Sequence, residues 1–411
     1  MRVGTGRSRS RRGDGPARAA ELERFEDQPL GAAPHIAVFS SSKVGNFVVT
    51  TPLLRGLKEK YPRATLDFFG SEATRGFEEA CPHVDFRFSL YGRPGGFLET
   101  LASAVAERRA VAGPYDLAIN CDEFAELNVV AVTLVQPRYI AGGALSPDLR
   151  GRMPAGARPE HRMLLDDDWN SPAFLARYAD VLESNYIAEI FCRIAYVETD
   201  FFALELGSAP PDFEVPDVLV HVTTTRQAKL WPTGHWLRLM GAIEERGLSA
   251  GLVGSPPAAQ RALYNAGDAE DVLLAETALV DLRGRTPLLQ LAGALERARA
   301  LVTVDAGPLH VAAAVGCPTV ALFGADDEGV GASPMSLWAP RRPFVFATRS
   351  SQTCRACADR RFRNTDCVVD GHPCMTGVDV TQVTRLLDDA LAWRGRSVPS
   401  TTPTLQLEEH P

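Results

Sequence analysis

Ala300–Gly324 reads ALVTVDAGPLHVAAAVGCPTVALFG, and the architecture expected of the chain follows from it. Leu301–Val304 is a short apolar run rich in branched residues, as a strand buried on both faces requires. It breaks at Asp305-Ala306-Gly307-Pro308, where glycine and proline mark a turn. His310–Val315 is small and apolar, and it stops at Gly316 with Pro318 close behind, a helix end. Thr319–Phe323 is a second strand. The unit is therefore βαβ. Its first loop holds an acid, a glycine and an imidazole at a strand's carboxyl end, where open α/β sheets bind ligands.

This loop suits an anion. Backbone N–H groups near Leu309 and His310 open the helix, and the helix dipole adds roughly half a unit charge there. Gly307 lets the main chain approach a ligand. His310 can donate to a phosphate, and Asp305 can accept from sugar hydroxyls. The alternative is an ordinary βα turn with a capping Asp and a satisfied His.

DAGPLHVAAAVGCPTVALFG resembles the D-[ST]-G-x-x-H-x-x-A-A-x-G-x-P-x-x-x-x-[FY]-G signature of the heptosyltransferases, glycosyltransferase family nine. The resemblance implies a GT-B fold, α/β with two Rossmann-like domains facing a central cleft. It also implies sugar transfer from a nucleotide diphosphate donor, with inversion and without a metal. Ala306 stands where the family has Ser or Thr, so one hydroxyl for the diphosphate is missing.

The chain has 411 residues, enough for two or three domains at about 150 residues each. Its net charge of −8 gives no basic footprint for nucleic acid. Met1–Arg18 is rich in Gly and Arg with no apolar core behind it, so it is not a signal peptide. No apolar run is long enough to span a bilayer. The chain reads as cytoplasmic, with at most peripheral membrane contact and with reduced thiols.

In the first half, His35–Phe39 reads as a strand and Ser40–Asn46 as a polar loop. Phe47–Tyr61 reads as a helix that Pro52 should bend or restart. The loop lacks G-x-G-x-x-G, which argues against a dinucleotide cofactor. SKVGNFVVTTPLLRGLKEKYP resembles the family's S-S-x-G-D opening, in which the Asp is the proposed general base. Asn46 stands in its place, and a carboxamide has negligible basicity at neutral pH. Asn120-Cys121-Asp122-Glu123 follows a predicted strand. Asp122 or Glu123 can replace the missing base, or both are solvated loop carboxylates. Gly142–Arg162 reads as a long loop, Phe174–Ile194 as a helix, and Asp166–Asp168 as a solvated acidic flank.

In the second half, Glu205–Pro216 reads as a domain linker. After strand Val218–Val222, Thr223–Pro232 resembles the family's T-T-R-x-x-K-x-W-P loop, with one extra residue near its start. The resemblance implies that Thr224, Thr225 and Lys229 hold donor phosphates; Arg226 follows the two threonines. Hydroxyls and an ammonium assist most as charge grows on a leaving diphosphate. Asp281–Thr286 matches D-L-x-G-x-[TS], with Thr286 as a helix cap. Cys354, Cys357, Cys367 and Cys374 form a tight thiol cluster, read by default as free thiols and alternatively as a structural zinc site.

These readings predict a disordered tail over 1–34, an acceptor-side domain over 35–205, a donor-side domain over 206–385 and a helix end and tail over 386–411. They predict donor contacts from Thr224, Thr225, Lys229, Asp305, Ala306, Gly307 and His310, facing Asn46, Asp122 and Glu123. No cofactor or metal is expected beyond the nucleotide sugar co-substrate. The acceptor is a saccharide, a lipid-linked sugar or a small molecule. The rival readings are a non-catalytic nucleotide-sugar-binding subunit and a nucleotide-sugar hydrolase or epimerase.

Overall fold

The computed structural model describes residues 22–92, 96–166, 171–263, 268–325, 334–352, 354, 356–357 and 366–393. The first sheet holds β1 (Glu23–Arg24), β2 (His35–Phe39), β3 (Thr65–Ser71), β4 (Phe86–Tyr91), β5 (Leu117–Asn120) and β6 (Tyr139–Ala141). Their order is β1-β6-β5-β2-β3-β4, and every neighbouring pair is parallel. The second sheet holds β7 (Val218–His221), β8 (Ala250–Leu252), β9 (Val280–Asp281), β10 (Ala300–Val304), β11 (Thr319–Phe323) and β12 (Val345–Arg349). Its order is β12-β11-β10-β7-β8-β9, again parallel throughout.

The apolar runs explain the sheets. β2, β5, β7, β10 and β11 are buried along their whole length, as central strands covered by helices on both faces must be. In each sheet the strand order reverses once, between β2 and β5 and between β7 and β10. Crevices at such reversals take ligands at the strands' carboxyl ends. The four loops leaving these strands are Ser40–Lys43, Cys121–Ala125, Val222–Arg226 and Asp305–Ala306.

The two halves meet where helix Val44–Lys60 packs on helix Gly307–Val315. Both contacts are made by glycine. A Cβ on Gly45 would lie 2.8 Å from His310 Cδ2, and one on Gly307 would lie 3.2 Å from Val44 Cβ. The starts of two helices are thereby brought together, each with the positive end of its dipole.

Several expectations need correction. Residues 22–34 are not a disordered tail: β1 adds to the edge of the first sheet through Phe25 N–H to the Ile140 carbonyl at 2.9 Å, and Phe25 is fully buried. Residues 1–21 lie outside the described residues. Helix Val44–Lys60 begins inside the expected loop and runs through Pro52 without restarting. Pro52 has no N–H for the Val48 carbonyl, and the Thr51 hydroxyl donates to that carbonyl at 2.7 Å instead. Residues 174–194 form two short helices, Pro172–Arg177 and Ile187–Ile194, because Glu189 accepts from the Glu183 and Ser184 N–H groups and fixes a turn between them. Helix Leu288–Arg297 has Pro287, not Thr286, at its cap. Asp166 accepts from Arg177 and from the Tyr178 hydroxyl, so it is not merely solvated. Residues 167–168 lie outside the described residues, as do 394–411 of the expected tail.

Candidate active site

One wall of the cleft, from the second sheet, starts at β7. The loop after it closes into a 3₁₀ turn, Gln227–Lys229, through Lys229 N–H to the Arg226 carbonyl at 3.1 Å. Trp231 anchors it: the indole is buried and donates to the Val378 carbonyl at 3.0 Å. Lys229 is thereby turned inward, and its Nζ donates to Asp305 Oδ2 at 2.5 Å and to the Asp305 carbonyl at 3.3 Å. Burial drives the Lys229 pKa down to about 8, with Asp305 opposing the shift. Burial also lowers Arg226, and Asp305 again opposes. Asp305 is therefore paired with Lys229 through Oδ2.

The opening stretch supplies the rest of that wall. Pro308 has no N–H, and the Leu309 N–H is donated to the Ala306 carbonyl at 3.1 Å, so the expected anion contact at Leu309 is spent within the turn. His310 is 3% exposed, and its Nε2 lies 4.0 Å from Asp305 Oδ1. Its Nδ1 has no hydrogen-bond partner among the described residues. Burial lowers its pKa to about 4, so the ring is neutral at physiological pH.

Across the cleft, Lys43 caps helix Val44–Lys60 with its carbonyl, which accepts from the Asn46 and Phe47 N–H groups at 3.1 and 3.2 Å. Asn46 is half-buried beside the Gly45–His310 contact. Asp122 accepts the Phe124 N–H at 3.1 Å in a local turn. Burial raises the Asp122 pKa, and the Phe124 N–H and the Lys43 charge oppose that. Glu123 differs. Both of its oxygens are buried, and a Cβ on Gly143 would lie 1.7 Å from Oε2. Arg152 Nη1 stands 3.7 Å from the same oxygen. Burial pushes the Glu123 pKa up to about 7.

One cleft of about 960 Å³ lies between these walls. Asn46, Asp122, Glu123, Thr224, Thr225, Lys229, Asp305, Ala306, Gly307 and His310 all line it. Sequence reasoning passed over Lys43, although a lysine directly before the Val44-Gly45-Asn46 turn was a signal. It also passed over Gln260, whose amide donates to Glu270 Oε1 at 2.9 Å and accepts the Ser255 N–H at 3.0 Å; no local pattern marked that residue. The four late cysteines are neighbours: burial, with the other three thiols nearby, pushes Cys374 up to about 12. Among the described residues, however, no three His, Cys, Asp or Glu side chains are placed to hold a metal ion. The zinc alternative gains no support from this arrangement.

Two Rossmann-like sheets whose reversal points face one cleft define a GT-B protein. Residues 195–361 match the model of glycosyltransferase family 9 (heptosyltransferase). It is 23% identical over 288 residues to lipopolysaccharide heptosyltransferase 3 of Escherichia coli K12, covering 69% of this chain and 80% of that protein. It is 32% identical over 146 residues to lipopolysaccharide heptosyltransferase 1 of the same strain, covering 34% and 43%. Among solved structures it resembles the family 9 glycosyl transferase of Veillonella parvula, with TM-score 0.62, 17% identity and coverage of 88% and 97%. The E. coli ADP-heptose lipopolysaccharide heptosyltransferase II aligns with TM-score 0.60 and 19% identity, covering 88% and 100%. Among the described residues no helix is long and apolar enough to cross a membrane.

Proposed function

We propose that the chain transfers a glycosyl group from a nucleotide diphosphate sugar to an acceptor hydroxyl, with inversion and without a metal. One observation carries the reading: Lys229 and Arg226 stand together beside Asp305, lining the cleft at the reversal point of the second sheet. An ammonium and a guanidinium converging at a strand's carboxyl end suit a diphosphate. The ammonium and guanidinium stabilise that diphosphate as it leaves.

Inversion requires a proton acceptor on the face opposite the leaving group, and the carboxylates stand on the opposite wall. Asn46 orients the acceptor and cannot take its proton. Glu123 has both oxygens buried, so Asp122 is the base. The acceptor is a saccharide, free or lipid-linked, or a small polyol. The name of the matched family and of the relatives favours heptose as the sugar and lipopolysaccharide core as the acceptor class.

Thermal stabilisation by a panel of nucleotide sugars identifies the donor. Transfer assays on Asn46→Ala, Asn46→Asp and Asp122→Asn then test the mechanism: modest loss, no gain and large loss are expected, with donor affinity kept in all three. A gain in Asn46→Asp with full activity in Asp122→Asn would refute the substitute base. Binding without transfer or hydrolysis would instead make the chain a non-catalytic donor-binding subunit.

A further inference from the structure

The segment that carries the late cysteines is built onto the turn that presents Lys229. The Ala228 carbonyl, in the middle of that turn, accepts from His372 Nε2 at 2.9 Å. Ala228 is 1% exposed, and Cys357 forms a small apolar cluster with it. Three residues on, the Trp231 indole is tied to the Val378 carbonyl at 3.0 Å. Cys374 and Met375 are buried beneath Gly324, where an added Cβ would lie 3.3 Å from the Cys374 sulfur and 3.4 Å from the Met375 sulfur. The turn is thus held from behind at Ala228 and at Trp231.

The backbone at His372 is unusual. Its φ is 48°, in the left-handed region, and Gly371 before it has φ 75°. A non-glycine residue there carries strain, which persists where surrounding structure over-determines it. His372 opens helix Pro373–Thr376 without capping it by a side-chain bond. What its imidazole does instead is bond to the donor turn, about 140 residues earlier in the chain.

We propose that His372 is a positioning residue for donor binding: through the Ala228 carbonyl it fixes the turn that aims Lys229 at the donor phosphates. The inference rests on the donor-site reading above. Lys229 reaches Asp305 with its Nζ while its own N–H closes the turn on Arg226. A rotation of the Ala228–Lys229 peptide would therefore move the ammonium and open the turn together. Removing the His372 bond frees that peptide, because the Ala228 carbonyl is buried and needs a donor.

Calorimetric titration with pyrophosphate and with ADP tests this on wild type, His372→Leu, His372→Gln, Lys229→Met and the double variant His372→Leu/Lys229→Met. His372→Leu should weaken binding of both probes about five- to tenfold, the worth of one hydrogen bond. His372→Gln, whose amide N–H reaches a similar point, should recover binding to within about twofold of wild type. In the Lys229→Met background the loss should vanish, since the bond acts through that lysine. Equal affinity in wild type and His372→Leu overturns the proposal, and so does an undiminished loss in the Lys229→Met background. If wild type binds neither probe, the donor-site reading falls and takes this inference with it. Lys229-dependent binding that ignores His372 removes the inference alone.

Discussion

Lys229 should make donor binding fall at alkaline pH. Its ammonium is buried against Asp305, and burial lowers its pKa from 10.5 to about 8. If only the charged form binds diphosphate, affinity follows the charged fraction of the free protein. That fraction falls from about nine-tenths near pH 7 to about one-tenth near pH 9, a tenfold loss of about 1.4 kcal/mol. The diphosphate, whose last ionisation lies at about pH 6, only gains negative charge as the pH rises through this range, so its own titration cannot weaken binding. Stability of the free protein runs the other way. Between about pH 8 and pH 10.5 the unfolded chain holds the Lys229 proton and the folded chain does not, so this group's contribution to stability rises with pH. Calorimetry at constant ionic strength, with nucleoside diphosphate at several pH values, reads the first effect. Lys229→Met keeps the apolar stem, and it should bind about 1.5–3 kcal/mol more weakly with a flat profile. A flat wild-type profile, or one shared by Lys229→Met, would refute the assignment of the ammonium to the site.

Three further outcomes follow from the same cleft. Asp122→Asn should lower kcat about 10²–10⁴-fold with donor affinity preserved, the range for loss of a general base, and a steady-state transfer assay checks it. Glu123 has its pKa raised from 4.5 to about 7, so its contribution to stability is present below pH 4.5 and lost as pH rises through 7. Glu123→Gln should accordingly be more stable than wild type near pH 8, by about 1–3 kcal/mol and with a higher melting temperature, and match it near pH 4; equal melting at both would exclude the buried charge. Gly45→Ala forces its new Cβ to 2.8 Å from His310 Cδ2. It should cost about 1–3 kcal/mol of stability by overpacking and should lower transfer, whereas unaltered melting and turnover would show that the seam between the halves opens freely.

The sequence by itself determined the local units. Apolar runs and turn residues placed the central strands β2, β5, β7, β10 and β11, since buried parallel strands must be apolar throughout; the edge strands β1, β9 and β12 were not placed. That the two loops line one cleft was legible because hydroxyls, lysine, glycine and histidine sit within a few residues of strand ends. The tertiary structure decided which of those groups act on one another. Asp122 and Glu123 are adjacent and indistinguishable in sequence, yet the fold of Gly142–Gly143 onto Glu123 leaves only Asp122 with an accessible carboxylate. The pairing of Asp305 with Lys229, 76 residues away, is not legible in either loop alone. Residues 22–34 look like a tail until β6 offers an open edge to β1. His372 shows no local signal, because its partner is the Ala228 carbonyl. Local pattern fixes which backbone segments can hydrogen-bond regularly. Desolvation and charge pairing depend on what distant chain segments bring alongside, and that is set only once the two sheets have packed.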